Sequence, residues 1–236
     1  MTAPLRVRLI ASIEMARDRE VELVAEASEP RGANPLVWTA KDNLAHLAAW
    51  RIRAAEMLTA ARTATPPGPG FDDETSTNRG IFEVNKDRPA SEIVERAKQS
   101  YADLLAAIQG CSNEDLLRPH PLRPERVVWE LIPGNGHAHL AEHLAYWHLD
   151  RKREPDAVGA YRWAQDVVDK CFPEPRDRSF AAYNIACFYA RRGLAEEALP
   201  NFKAAFELNP ELKDWAQKDS DLDPIRGNAA LQELLA

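Results

Sequence analysis

Strand signals are what this sequence most conspicuously lacks: nowhere in its 236 residues do β-branched and polar residues alternate over a strand's length. Their absence points to an all-α protein. Cysteine is scarce, with Cys111, Cys171 and Cys187 odd in number and widely spaced, which excludes a disulfide framework and a Cys-x-x-Cys metal site. There is no excess of positive charge: 30 Lys and Arg stand against 37 Asp and Glu, a net charge of -7. Both parts of the chain are acidic, at -5 over residues 1–150 and -2 over 151–236, so no nucleic-acid partner bound by counterion release is expected. The longest apolar run, near Ala181 to Ala190, is far shorter than the roughly 20 residues of a membrane span. Arg6, Arg8, Glu14, Arg17, Asp18, Arg19, Glu20 and Glu22 break any signal-peptide core, so a reduced, cytoplasmic setting without a membrane is the expectation.

Enough apolar and charged residues are present, 45% and 28%, to bury a core and solvate a surface. At about 150 residues per domain, the length fits one large domain or two modest ones. Helical period runs through most of the chain. Leu9, Ile13, Ala16, Leu23, Val24 and Ala27 make one stripe and predict a first helix from Pro4 to Ala27. Pro30 to Pro35 breaks it, and Thr39 with Asp42 forms a capping-box variant that opens a second helix to about Arg62. Residues 64–78 hold Pro, Gly and acids without a stripe and predict a long loop of the kind that covers sites. A third helix begins at Pro89 and stops at Gly110; Ser112 and Asp115 cap a short turn. A fourth starts between Pro133 and His137 and runs to about Lys152. Four long helices predict a bundle.

The charged run Asp150 to Pro155 predicts a hinge, dividing the chain into a bundle at 1–153 and a second helical domain at 154–236. Beyond it, Ala182, Ile185, Ala186, Tyr189, Gly193, Ala198, Phe202, Ala205 and Pro210 fall at the spacing of a tetratricopeptide unit. The predicted layout is a half repeat at 156–175, a full repeat at 179–212 and capping helices at 213–236.

Three of the six histidines sit where chemistry can arise. His139 and His143, four residues apart, share one face of the fourth helix, a spacing that suits two ligands on one cation. His46, on the inward stripe of the second helix with Asn43, Leu47 and Trp50, can supply a third imidazole, leaving coordination positions open. Trp50 and Trp147, each one turn after a candidate ligand, are predicted to wall the same cavity, although tryptophan at this spacing also serves as plain core. His139 to His143 reads in addition as H-x-x-E-H, the inverted zinc-protease signature. The all-helical surroundings argue against that protease, and Glu142, about 100° round the helix from His143, is kept as a reserve general base with a surface or supporting carboxylate as its ordinary reading. His137 reads as a solvated helix-start residue, His120 and His148 as structural, and Cys111 as an incidental thiol.

Trp38 to Trp50, Asn85 to Ile93, and Trp129 to His143 together resemble the DinB superfamily, more narrowly its DfsB/ClbS-like branch, over residues 5–150. The resemblance implies a four-helix bundle in which one histidine of helix two and an H-x-x-x-H pair of helix four bind zinc or nickel; the matching positions are His46, His139 and His143. It implies a hydrolase or a thiol-dependent transferase acting on a small reactive molecule, with a low-molecular-weight thiol as a further partner, and motivates a role in protection from stress or toxin. The alternative is a non-enzymatic scaffold that uses the tetratricopeptide segment to bind a protein or a second copy of itself. The bundle would then be structural or degenerate.

Overall fold

The computed structural model describes residues 3–34, 37–69 and 73–236. Among them the chain is helical apart from one small hairpin, and it forms two compact units, Met1–Val158 and Gly159–Ala236.

The first unit opens with α1 (Leu5–Arg19) and α2 (Val21–Ala25), where the sequence suggested one helix. The break falls at Glu20, whose carboxylate turns into the interior and is 2% exposed. The capping box at Thr39 and Asp42 is present and starts α3 (Ala40–Thr63). The stretch expected to be a loop to residue 78 instead contains the start of α4 (Glu74–Asn85), which Asp73 caps by accepting from the Ser76 N–H. Part of that expected loop, residues 70–72, lies outside the described residues. The next helix, α5 (Ala90–Gln109), follows Pro89 and ends at Gly110, and Ser112 with Asp115 boxes the short α6 (Asn113–Leu116). Two strands that the sequence did not announce, β1 (Pro119–His120) and β2 (Arg123–Val127), pair antiparallel. They are too short and too exposed to carry an alternating pattern. A 3-10 turn at Val128–Glu130 and α7 (Leu131–Asn135) lead into α8 (His137–Asp150).

Four long helices, α1, α3, α5 and α8, form the bundle, with α3 packed on α5 and touching α8. Their core is aliphatic, with Leu9, Ile13, Leu44, Leu47, Leu58, Leu104, Leu140 and Leu144 fully buried. Gly136, just before α8, makes close approach possible: a Cβ there would lie 2.6 Å from Ile13 Cδ1 and 2.9 Å from the Ile132 carbonyl oxygen. A buried ionic cluster crosses the bundle. Arg51 of α3 donates to both carboxylate oxygens of Glu20 at 2.7 and 3.0 Å and to Ser100 Oγ at 2.9 Å. The Tyr101 hydroxyl donates to the same Glu20 at 3.0 Å, and its ring lies 3.9 Å from the guanidinium. This arrangement explains why α1 ends where it does: a carboxylate paired in the core needs a turn in the chain to reach its partners.

After α8 the chain turns through Lys152, in the left-handed region at φ 58, and α9 (Glu154–Cys171) begins. The second unit comprises most of α9, then α10 (Pro175–Ala190), α11 (Ala195–Leu208), α12 (Leu212–Ala216), a 3-10 turn at Ser220–Ile225 and α13 (Ala229–Leu235). Helices α10 and α11 form a hairpin at Gly193, whose φ of 74 favours glycine. Small residues Ala186, Ala190, Ala198 and Ala205 interleave with Tyr183, Phe202 and Phe206, and Leu222, Ile225, Leu231 and Leu235 cover one end of this core.

Candidate metal centre

Helices α3 and α8 bring His46, His139 and His143 together, with one nitrogen from each ring within 4.8 Å of the others. The i, i+4 spacing on α8 lays His139 and His143 one above the other, ring centroids 4.7 Å apart. His46 faces both from α3, at 4.9 and 4.5 Å. Its Nε2 lies 3.0 Å from His139 Nε2. Two imidazole nitrogens each about 2.0–2.1 Å from one zinc-sized ion sit about 2.8–3.4 Å apart at bond angles from square to tetrahedral. The observed spacing falls inside that range, and the donor set suits a borderline divalent cation.

The three rings are neutral at physiological pH. Burial lowers the pKa of His46 to about 4. Burial, reinforced by the neighbouring His46 and Arg51, lowers that of His139 to about 3. Burial and then the other two imidazoles hold His143 well below its usual range. Neutral nitrogens keep the lone pairs that a metal needs. His143 Nδ1 lies 2.7 Å from Asn43 Oδ1, whereas the Nδ1 atoms of His46 and His139 are buried without a hydrogen bond.

Aromatic rings surround the nitrogens. Trp38, one residue before the N-cap of α3, packs at 5.1 Å from His46 and stacks at 5.8 Å on His143. Phe82 of α4 stacks behind Trp38 at 6.4 Å. Trp50 lies 6.3 Å from both His46 and His139, and its indole N–H donates to Asn78 Oδ1 of α4 at 3.1 Å. Helix α4 is held in place by Lys41, whose ammonium donates to the carbonyls of Lys86 and Arg88 at 2.7 and 2.9 Å.

Several sequence expectations are corrected here. The Trp147 indole N–H donates to Glu29 Oε1 at 3.2 Å, and the Arg151 guanidinium lies 4.5 Å from its ring. A buried indole N–H needs an acceptor, and Glu29 supplies it. Trp38, for which no role was expected, packs on His46 and His143 beside the expected Trp50, and Phe82 stacks behind Trp38. Phe82 could have been found from Asn78, Ile81, Phe82 and Asn85, an i, i+3, i+4, i+7 stripe. Glu142 is half-exposed and lies outside the converging ligand atoms. His137 is buried, not solvated, and burial lowers its pKa to about 4. His148 pairs with Glu22 at 3.1 Å, and His120 accepts from the Leu122 and Arg123 N–H groups in the hairpin turn. Cys111 is free and buried, and burial raises its pKa.

Cys187, Asp219 and Asp221 form a second convergence of ligand-type atoms. There the Tyr183 hydroxyl donates to Asp219 Oδ2 at 2.9 Å, the Cys187 thiol to the same oxygen at 3.8 Å, and the Asp221 N–H to Asp219 Oδ1 at 3.0 Å. Burial raises the pKa of the Cys187 thiol, and hydrogen bonds to Asp219 join the cluster.

Comparison with known families matches residues 12–148 to the DinB superfamily, a stretch that contains all three histidines and the four bundle helices or most of each. The chain belongs to that superfamily. DinB-like proteins commonly bind metal, and this bundle contains a group of three histidines. Comparison with curated proteins and with solved structures finds no match. No helix among the described residues is long and apolar enough to cross a membrane.

Proposed function

We propose that the DinB bundle is a metal-dependent enzyme, a hydrolase or a thiol-dependent transferase acting on a small reactive molecule, with zinc or nickel held by His46, His139 and His143. The supporting observation is the meeting of three imidazoles, with His46 and His139 Nε2 3.0 Å apart and one nitrogen of each ring within 4.8 Å of the others, beside the rings of Trp38 and Trp50. A divalent ion bound there supplies Lewis acidity, polarising an electrophile and lowering the pKa of a bound water or thiol. The chain's own residues do the rest. The three histidines would hold the ion and leave further coordination positions for reactants. Trp38 and Trp50, packed beside the histidines, would limit water around those positions and offer flat apolar surface to a substrate. Glu142 is not brought to the triad, so no general base is assigned to it.

The second unit supports a separate role. Its α10–α11 hairpin, with the glycine turn and interleaved small and aromatic residues, fits one tetratricopeptide unit, which we read as a surface for a protein partner or for self-association. A cytoplasmic setting suits three free, buried cysteines. The test is turnover of a panel of small electrophiles by zinc- and nickel-loaded protein, with and without a low-molecular-weight thiol. Activity that disappears in His46→Ala and His139→Ala is the expected result. Equal activity in wild type and both variants contradicts the assignment, and the non-enzymatic scaffold reading then takes its place.

A further inference from the structure

The three histidines are not equally prepared for an ion. His46 and His139 face each other through Nε2 at 3.0 Å, so without an ion one must donate to the other, and nothing bonds their buried Nδ1 atoms to select which. His143 is different because of an amide on the opposite helix. Asn43 lies one turn before His46 on α3 and is 4% exposed. Its Nδ2 donates to the Thr39 carbonyl at 2.9 Å, and its backbone N–H donates to the same oxygen at 3.1 Å.

A carbonyl has no proton to give, so the amide atom facing Thr39 is nitrogen; the flipped amide would press two oxygens together in a buried place. The other atom, Oδ1, is therefore the one 2.7 Å from His143 Nδ1. That oxygen can only accept, so Nδ1 carries the proton, and in a neutral ring Nε2 is left bare. The Thr39 carbonyl is itself located by the capping box, in which Asp42 accepts from the Thr39 N–H at 2.9 Å and from its hydroxyl at 2.8 Å.

We infer that Asn43 is a positioning residue for the cation site: anchored to the cap of α3, it holds His143 in the Nδ1–H tautomer before any ion arrives, so that Nε2 is a standing donor for a divalent cation. The inference rests on the triad being a cation site. It adds how one ligand is preset and which residue presets it.

Long-range proton–nitrogen correlation spectra of histidine-labelled, metal-stripped, full-length protein at pH 8 read the tautomer directly, because the ring is neutral at that pH. Wild type is expected to show His143 protonated at Nδ1. In Asn43→Leu, which keeps the bulk but removes the acceptor, the proton is expected to move toward Nε2, and cobalt(II) affinity to fall by about 10–100-fold. Asn43→Asp keeps an acceptor for Nδ1 but loses the Nδ2 anchor and sets an oxygen against the Thr39 carbonyl, so it is expected to retain the Nδ1–H tautomer at a lower melting temperature. A purely structural role would lower the melting temperature in both variants and leave the tautomer unmoved. A wild-type spectrum with the His143 proton on Nε2 overturns the inference, as does a folded Asn43→Leu with unchanged tautomer and cobalt affinity. If Asn43→Leu does not fold, loss of the Nδ1–H pattern in Asn43→Asp overturns it. Wild type that shows the Nδ1–H pattern but takes up no cobalt contradicts the cation reading of the triad and leaves the orienting role standing.

Discussion

Glu20 and Arg51 are nearly inaccessible to water, and each satisfies the other through two hydrogen bonds. Removing one partner strands a charge in the core, whereas replacing both by apolar residues of similar volume is tolerated far better. Arg51→Leu is therefore expected to lower the unfolding free energy by about 3–5 kcal/mol in urea titration. The double variant Glu20→Met, Arg51→Leu should recover most of that loss. Glu29 is a milder case with a pH signature. Burial raises its pKa, but hydrogen bonds from Arg151, the Ala40 N–H and Trp147 outweigh that and leave it below the ordinary 4.5. A depressed folded-state pKa adds stability above the unfolded value, and the contribution disappears as pH falls through the folded one. Urea midpoints measured from pH 7 to pH 3 should fall more steeply in wild type than in Glu29→Gln, and parallel curves would show that Glu29 is not linked to folding.

Among the elements, those with a local signature are readable from residues alone. Helix α3 has its capping box, α5 its proline entry and apolar stripe, and α8 its histidine pair at helical spacing, and each is found close to where those signals place it. The readable site follows from the same logic, because the direction of a side chain on a regular helix is set by its position. What cannot be read locally depends on partners distant in sequence. The break between α1 and α2 exists for Arg51 and Tyr101, and α4 packs its narrow stripe on α3 across an acidic, proline-rich approach. The indole N–H of Trp147 finds Glu29, and Trp38, for which no role was expected, packs on His46 and His143; no spacing along α8 reveals either contact. The entry to α8 offers a test at this scale. In Gly136→Ala the Ile13 methyl end can shift, but the Ile132 carbonyl at 2.9 Å belongs to the backbone. The helix entry must then move, at about 1–3 kcal/mol, read as a lower urea midpoint with unchanged slope. An unchanged midpoint would mean that the packing against α1 has room to spare.

At the scale of the whole molecule, two units with separate cores carry different proposed tasks. If the second unit mediates self-association, light scattering of the full chain and of residues 1–158 should give different oligomeric states. The same state for both would remove the dimerising role and leave only a contact with another protein. The DinB bundle stands or falls on its ion. Protein prepared without a histidine tag, dialysed against zinc or nickel and analysed by mass spectrometry for metal per chain, should hold one equivalent in wild type and none in His139→Ala or His143→Ala. Wild type that holds no metal after loading, or variants that hold as much as wild type, would contradict it.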